Sequence, residues 1–244
     1  MPYNAKHIIP PKPVKLNCQN CSTKNISLFN ELSNEELEIL NKNQYCLQYK
    51  RGGEICKKGA YPTSLICLSK GKVKITRSSN NGTQQIVGLR KPGDFLGFRA
   101  LMGEKSYVAS VIALEEASVC FIDKKDFFKV IEMNKDLSYK IMRYLAQQLL
   151  ENDSRLVNLT TKHVRARLAD TLLMINEFFG AYPDNGYLTI KLKREELAAM
   201  ANMTTSNAIR ILSSFKEENI LEVHLRDIKI KDLKKLQKIS DFNK

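Results

Sequence analysis

Between Lys193 and Val223, apolar residues recur at helical spacing in two consecutive runs, Leu197, Met200 and Ala201, then Ala208, Ile211, Leu212 and Phe215. The break Asn202-Met203-Thr204 separates them, so the pattern predicts a helix-turn-helix in which each helix has one face to bury against the other. Thr204 is placed to cap the second helix, because its hydroxyl can accept a backbone N–H left unpaired at a helix start. Outward on the first turns of that helix stand Thr205, Ser206, Asn207 and Arg210. Short hydrogen-bonding side chains with one guanidinium form a surface that fits a major groove and reaches guanine or phosphate. An amphipathic hairpin with no ligand would share this pattern, so the flanks matter. Ile220–Val223 and Ile228–Ile230 bracket a polar turn and predict a hairpin, and Tyr187–Leu192 alternates as a strand before the first helix. A helical pair bracketed by strands is a winged arrangement, with the turn around Arg226 positioned to touch a DNA backbone.

The pattern changes upstream. From Gly52 to Ile122, short apolar runs such as Val73-Lys74-Ile75 and Ile86-Val87-Gly88-Leu89 alternate with turns at Gly52-Gly53, Lys58-Gly59, Lys70-Gly71, Asn81-Gly82 and Pro92-Gly93-Asp94. Such close punctuation predicts a small antiparallel sandwich or jelly roll. A metal-dependent jelly-roll enzyme would need clustered histidines, and only His7, His163 and His224 occur, outside these strands. Recognition is expected, not catalysis. From Leu137 to Thr161 the chain reads as one long helix in which Met142, Leu145, Leu149, Asn152, Leu156 and Leu159 alternate at spacings of three and four, the seam of a two-stranded coiled coil. Asn152 costs stability in a buried core, whereas across a twofold axis it can pair with its own copy and fix register. A long helix packed on its own sandwich is the competing reading. The fold class is therefore α+β: an arm over residues 1–25, an antiparallel β jelly roll over 26–133, a dimerisation helix over 134–162 and a winged helix-turn-helix over 163–244.

Composition adjusts this picture modestly. At 244 residues the chain has room for two cores, and its net charge of +13 suits a polyanionic partner without locating the site. No apolar run reaches membrane-spanning length, and residues 1–16 lack the apolar centre of a secretory signal, so a cytoplasmic protein with no membrane partner is expected. In that setting the six cysteines are expected as reduced thiols, metal ligands or core residues rather than disulfides. Cys67 and Cys120 lie in apolar strand-like stretches, where a thiol behaves as a small hydrophobe. Cys18 and Cys21 form a C-x2-C pair in a polar segment, a spacing that lets two thiolates share one metal or cluster.

Sandwich, long helix and winged helix-turn-helix, in this order, resemble the Crp/Fnr family of bacterial transcription regulators over nearly the whole chain. The residues carrying the resemblance are Leu68-Ser69-Lys70-Gly71-Lys72-Val73-Lys74-Ile75, Pro92-Gly93-Asp94-Phe95-Leu96-Gly97 and Ile209-Arg210-Ile211-Leu212. The resemblance implies a cyclic-nucleotide-binding-like sensor domain, a homodimer on double-stranded DNA, RNA polymerase as a further partner, and activation of transcription. It also implies that Arg210 contacts the DNA and that Arg194 contacts a phosphate. A glutamate usual at the position of Ser206 is absent, and a hydroxyl cannot replace a carboxylate that accepts from cytosine N4. Members that bind cyclic AMP carry a Gly-Glu pair followed by an Arg-Ser-Ala run, where this chain has Gly97-Phe98-Arg99-Ala100-Leu101 and Tyr107-Val108-Ala109. Without that arginine the cyclic phosphate would be buried unmatched, which argues against cyclic AMP, with Arg99 the one residue in its favour. Gly97-Phe98-x-Ala100 is closer to the fumarate and nitrate reduction branch, which holds an iron–sulfur cluster on four cysteines. Cys18, Cys21 and Cys120 fall where three of those four stand, and Ser27 occupies the remaining position, so an intact set would need another ligand such as Cys46 or Cys56. The function expected is a dimeric, sequence-specific regulator; the alternative is a redox, iron–sulfur or small-molecule sensor that signals through protein contacts without DNA.

Overall fold

Frequent turns and strand alternation build the first half of the chain. The computed structural model describes residues 11–19, 21–78 and 84–241, so His7 and the Asn81-Gly82 turn lie outside the described residues. In chain order the first elements are β1 (Lys12–Val14), α1 (Asn34–Asn41), β2 (Tyr45–Tyr49), β3 (Glu54–Cys56), β4 (Ser64–Lys70), β5 (Val73–Ser78), β6 (Gln84–Arg90) and β7 (Phe95–Leu96). They are followed by α2 (Phe98–Met102), β8 (Ser110–Ala113), β9 (Ala117–Asp123), α3 (Lys124–Met133) and α4 (Lys135–Thr161). The strands form a five-stranded sheet, β1-β2-β9-β4-β7, and a four-stranded sheet, β3-β8-β5-β6.

Strand β9 is buried from Ala117 to Ile122 because both of its faces are covered. Ala117, Val119 and Phe121 look into the core between the sheets, with Leu68, Val73 and Val111. Alternation turns Cys120 and Ile122 the other way, and Ile122 joins Leu37, Leu40, Phe127, Val130, Leu137 and Ile141 from α1, α3 and the start of α4. Helix α1 begins at a capping box: Glu36 N–H donates to Ser33 Oγ at 3.2 Å and Ser33 N–H to the Glu36 carboxylate at 2.8 Å. The Lys70-Gly71 turn requires its glycine, since Gly71 has φ +86° and a Cβ there would collide with the Glu116 carbonyl.

The expectation of reduced cysteines is overturned at one pair. In the antiparallel pairing of β2 with β9, Cys46 stands directly opposite Cys120, and the two are joined in a disulfide with Cα atoms 4.0 Å apart. Cys120 is therefore not a free ligand in this state. Residue types alone could not reveal this, because bonding distance depends on the register of strands more than seventy residues apart.

A division between compact units falls inside α4, between Ala146 and Gln147. Beyond α4 come α5 (Val164–Phe179), α6 (Arg194–Met200), α7 (Thr205–Glu217), β10 (Leu221–His224), β11 (Asp227–Ile230) and α8 (Leu233–Asp241). Strands β10 and β11 pair as an antiparallel hairpin. The strand expected over Tyr187–Leu192 is not formed; the segment makes only isolated bridges, Tyr187 with Lys229 and Ala181 with Leu188. Its alternation is nonetheless real, since Leu188, Ile190 and Leu192 are all buried. Period two reported which side chains face the core, while the ladder is reduced to contacts such as Leu188 N–H to the Ile228 carbonyl at 2.8 Å.

Helix α4 shows two regimes. Leu137 and Ile141 are buried in the sandwich unit, and Leu145 is partly buried against the same cluster. Beyond them Met142, Leu149 and Leu156 are 59, 62 and 63 % exposed, and Leu150 and Val157 are exposed beside them. Asn152 is also exposed, and Leu159 is half-buried.

Candidate functional site

The turn between α6 and α7 is set by local chemistry. Asn202 adopts φ +50°, a left-handed conformation that asparagine tolerates, and reverses the chain after α6. Thr204 then caps α7, its Oγ1 accepting from Asn207 N–H at 3.2 Å. At the start of α6 the Glu196 carboxylate accepts from Lys193 N–H at 2.7 Å. Ala208, Ile211, Leu212 and Phe215 form the buried face of α7, as their spacing predicts. Arg165 of α5 secures the far end of that helix: its guanidinium stacks over Phe215 at 4.6 Å, donates to Ser214 Oγ at 2.7 Å and pairs with Glu218 at 2.5 Å. Hydrogen bonds from Ser214 and Arg165 hold the Glu218 carboxyl below its ordinary range.

This packing leaves Ser206 and Arg210 exposed, with Thr205 and Asn207 half-buried beside them. Arg210 is oriented from its own helix, its Nη2 donating to Asn207 Oδ1 at 3.2 Å. The structure adds two residues to the face. Ile209 is 48 % exposed and Ser213 is exposed, and both follow Ser206 at helical spacing. A surface isoleucine among short polar side chains can contact a thymine methyl group. Its signal was present in the sequence, because Ile209 falls outside the spacing of the buried set.

Arg194, expected to contact a phosphate, is anchored within its own unit. Its Nη2 donates to the Leu225 carbonyl at 2.6 Å, while Nη1 is buried without a hydrogen-bond partner. Burial lowers its pKa from the ordinary arginine value. Leu225, at the tip of the β10-β11 hairpin, is 92 % exposed and adopts φ +51°, a conformation that costs energy for a branched side chain. Arg194 thus ties the wing tip to the start of α6 and sets where exposed Arg226 is presented.

Removing the cap tests the local frame. Thr204→Ala is expected to destabilise the protein by about 1 kcal/mol, because Asn207 N–H loses its acceptor. Urea unfolding followed by far-ultraviolet circular dichroism measures this, and an unchanged midpoint would show that the cap contributes nothing.

A second feature lies in the sandwich unit, on the helix-covered face of the five-stranded sheet. A small pocket, partly open to solvent, is lined by Cys18, Cys21, Cys67 and Cys120, with Ser27 also on its wall. Cys18 is held by its backbone N–H to Asn41 Oδ1 at 2.8 Å, and Cys21 Sγ lies 3.1 Å from Thr23 Oγ1. Burial, then the neighbouring Cys21, pushes the Cys18 thiol up to about 11. Burial, then Cys18 and Cys21, raises Cys67 as well. Among the described residues no three metal-ligating side chains stand within reach of a single ion. Arg99, the remaining candidate for a cyclic phosphate, is exposed on α2. Tyr107 is buried in the core between the sheets and its ring lies against Gly97.

Comparison with known proteins decides the family. Residues 46–134 match the cyclic nucleotide-binding domain, and residues 166–239 match the Crp-like helix-turn-helix domain. The chain belongs to the Crp/Fnr family. It is 24 % identical to the cyclic AMP receptor protein of Thermus thermophilus over 218 residues, covering 89 % of this chain and 98 % of that protein. It is 25 % identical to the fumarate and nitrate reduction regulatory protein of Vibrio cholerae over 233 residues, covering 94 % of this chain and 92 % of that protein. The structure of FixK2 from Bradyrhizobium japonicum superposes with a TM-score of 0.73 at 18 % identity, over 82 % of this chain and 98 % of that one, which is a likeness of fold. This Crp/Fnr protein is a DNA-binding transcription regulator that couples a cyclic-nucleotide-binding-like domain to a helix-turn-helix domain. No helix among the described residues is long and apolar enough to cross a membrane.

Proposed function

We propose that this Crp/Fnr protein acts as a cytoplasmic homodimer that binds a palindromic promoter site and activates transcription through contact with RNA polymerase. The limits proposed are an arm over 1–25, a sensor over 26–133, a dimerisation helix over 134–162 and a DNA-binding domain over 163–244. The observation that carries the reading is the exposed face of α7, where Ser206, Ile209 and Arg210 stand clear of a fully packed opposite face. Thr204 and Thr205 at the helix start set register on phosphates, with backbone amides oriented by the cap. Ser206, Asn207 and Arg210 read base edges, Arg210 in the orientation that Asn207 gives it. Arg194 contributes by fixing the wing. Pairing along α4 is supported by the apolar stripe of Met142, Leu149 and Leu156, which among the described residues stays exposed in the single chain, with Leu145, Asn152 and Leu159 completing the seam.

The signal is read in the sandwich unit, and a cyclic nucleotide is not the proposed effector: Arg99 points to solvent and Tyr107 fills the interior beside Gly97. Its work is recognition, with no catalytic step. The test is repeated selection of bound duplexes from a random pool at fixed salt. Enrichment of an inverted repeat is expected; a pool that stays random would favour a sensor signalling through protein contacts alone.

A further inference from the structure

The turn that closes the β10-β11 hairpin goes against the usual residue preference. His224 pairs with Asp227 at the end of the ladder, so Leu225 and Arg226 are the two residues of the loop, and of these Leu225 alone takes a positive φ, +51°. Two-residue hairpin loops with positive φ at their first position favour glycine there, because a branched side chain is strained in that region. Here the position holds a leucine that is 92 % exposed, the most exposed large apolar side chain among the described residues. Folding of the hairpin gains nothing from it, since the backbone is strained and almost all of the apolar surface stays in water. The turn is nevertheless held firmly. Arg194 Nη2, at the start of α6, donates to the Leu225 carbonyl at 2.6 Å, and Lys191 Nζ meets the Asp227 carboxylate at 2.7 Å. The other hairpin carboxylate, Glu222, accepts from the Tyr187 hydroxyl at 2.5 Å. With both carboxylates engaged, the leucine stands between exposed His224 and exposed Arg226.

We propose that Leu225 is an apolar wedge that enters the minor groove beside each half-site, so that the wing selects flanking DNA by its deformability. The inference rests on the reading of α7 as the helix that docks on DNA. A phosphate contact needs a cation or an amide and gains nothing from a leucine. Minor-groove readers combine the two residue types found at this tip: a guanidinium drawn to the negative potential of a narrow groove, and an aliphatic side chain that enters between base steps and partly unstacks them. Unstacking costs least at flexible pyrimidine–purine steps, so a sequence preference arises at base pairs outside those that α7 reads. The surroundings favour a duplex over a protein or lipid partner, because the tip is tethered to α6 within the segment that matches the Crp-like helix-turn-helix domain and is bordered by Arg226. The tether has a use here. A wedge deforms a duplex only if its own backbone does not yield, and Arg194 supplies that support before DNA arrives.

The experiment uses the full chain and selects bound duplexes from a pool whose random segment extends well past the repeat on both sides. Wild type is expected to enrich TA or CA/TG steps at a fixed distance outside the inverted repeat, and 2-aminopurine placed at that step should brighten on binding as it unstacks. Leu225→Gly is the decisive variant, because glycine accepts φ +51° without strain. It should unfold in urea no earlier than wild type, yet lose about fivefold or more in affinity for the flanked site and leave the 2-aminopurine signal unchanged. Leu225→Met keeps an apolar tip and should retain both the flank preference and the brightening. A wild-type repeat with random flanks, brightening that persists in Leu225→Gly, or Leu225→Gly binding the flanked site like wild type would each overturn the proposal while the regulator reading stands. A pool with no repeat at all would sink that reading and this inference together, so the two failures are distinguishable.

Discussion

Replacing Leu149 and Leu156 together by glutamate is expected to make the protein monomeric and to weaken its binding to a palindromic site by about 10²–10⁴-fold. The magnitude comes from linkage. Once one recognition helix is docked, its partner meets the second half-site at the high effective concentration that the dimer imposes, and a monomer loses that second event. Both leucines are exposed in the single chain, at 62 and 63 %, so the substitution leaves the protomer's own core intact. Across a twofold axis each introduced carboxylate would instead meet its copy in a desolvated seam. Sedimentation at micromolar concentration gives the mass, and gel shift on full and half sites gives the affinities. The variants should bind a half-site as wild-type protomers do; a dimer of unchanged affinity would mean that α4 is not the interface. Leu137→Glu is the contrasting change, because that side chain is buried in its own sandwich and its replacement should unfold the unit.

What the sequence disclosed follows from the range of the interactions concerned. The α6-α7 pair and the cap at Thr204 depend on residues a few positions apart, so spacing and residue type sufficed. Helix α1 carries a signal of the same short range, Ser33-x-x-Glu36 ahead of Leu37 and Leu40, set among polar residues that dilute its apolar spacing. Helix α8 is short and carries Leu236 alone of its leucines fully into the core of its unit, so its apolar spacing is faint. The row of Cys46, Cys120 and Cys67 was not legible, because it arises from the register of three strands adjacent in space and distant in the chain. Arg194 shows a different limit: the family resemblance marked it as a phosphate contact, whereas its partner in the fold, the carbonyl of strained Leu225, is fixed only once the hairpin folds back.

Arg210→Ala is expected to cost about 1–3 kcal/mol of specific binding and to flatten preference at one base pair of each half-site. The guanidinium is exposed, lies on the outward face of α7 and is aimed by Asn207 Oδ1, so a bidentate contact to guanine requires little further ordering. Arg210→Lys discriminates geometry from charge. Lysine keeps the positive charge and hence the non-specific, salt-sensitive component, yet has no planar fork to match two acceptors, so it should resemble alanine in specificity and wild type in salt dependence. Asn207→Ala should cost less than Arg210→Ala, because it frees the guanidinium without removing it. If Arg210→Ala instead weakened all duplexes equally and reduced the salt slope by about one, Arg210 would be a phosphate contact. Base reading would then pass to Ser206 and Asn207, with Ile209 and Ser213 beside them, and the preferred sequence recovered by selection should lose its guanine preference at that position.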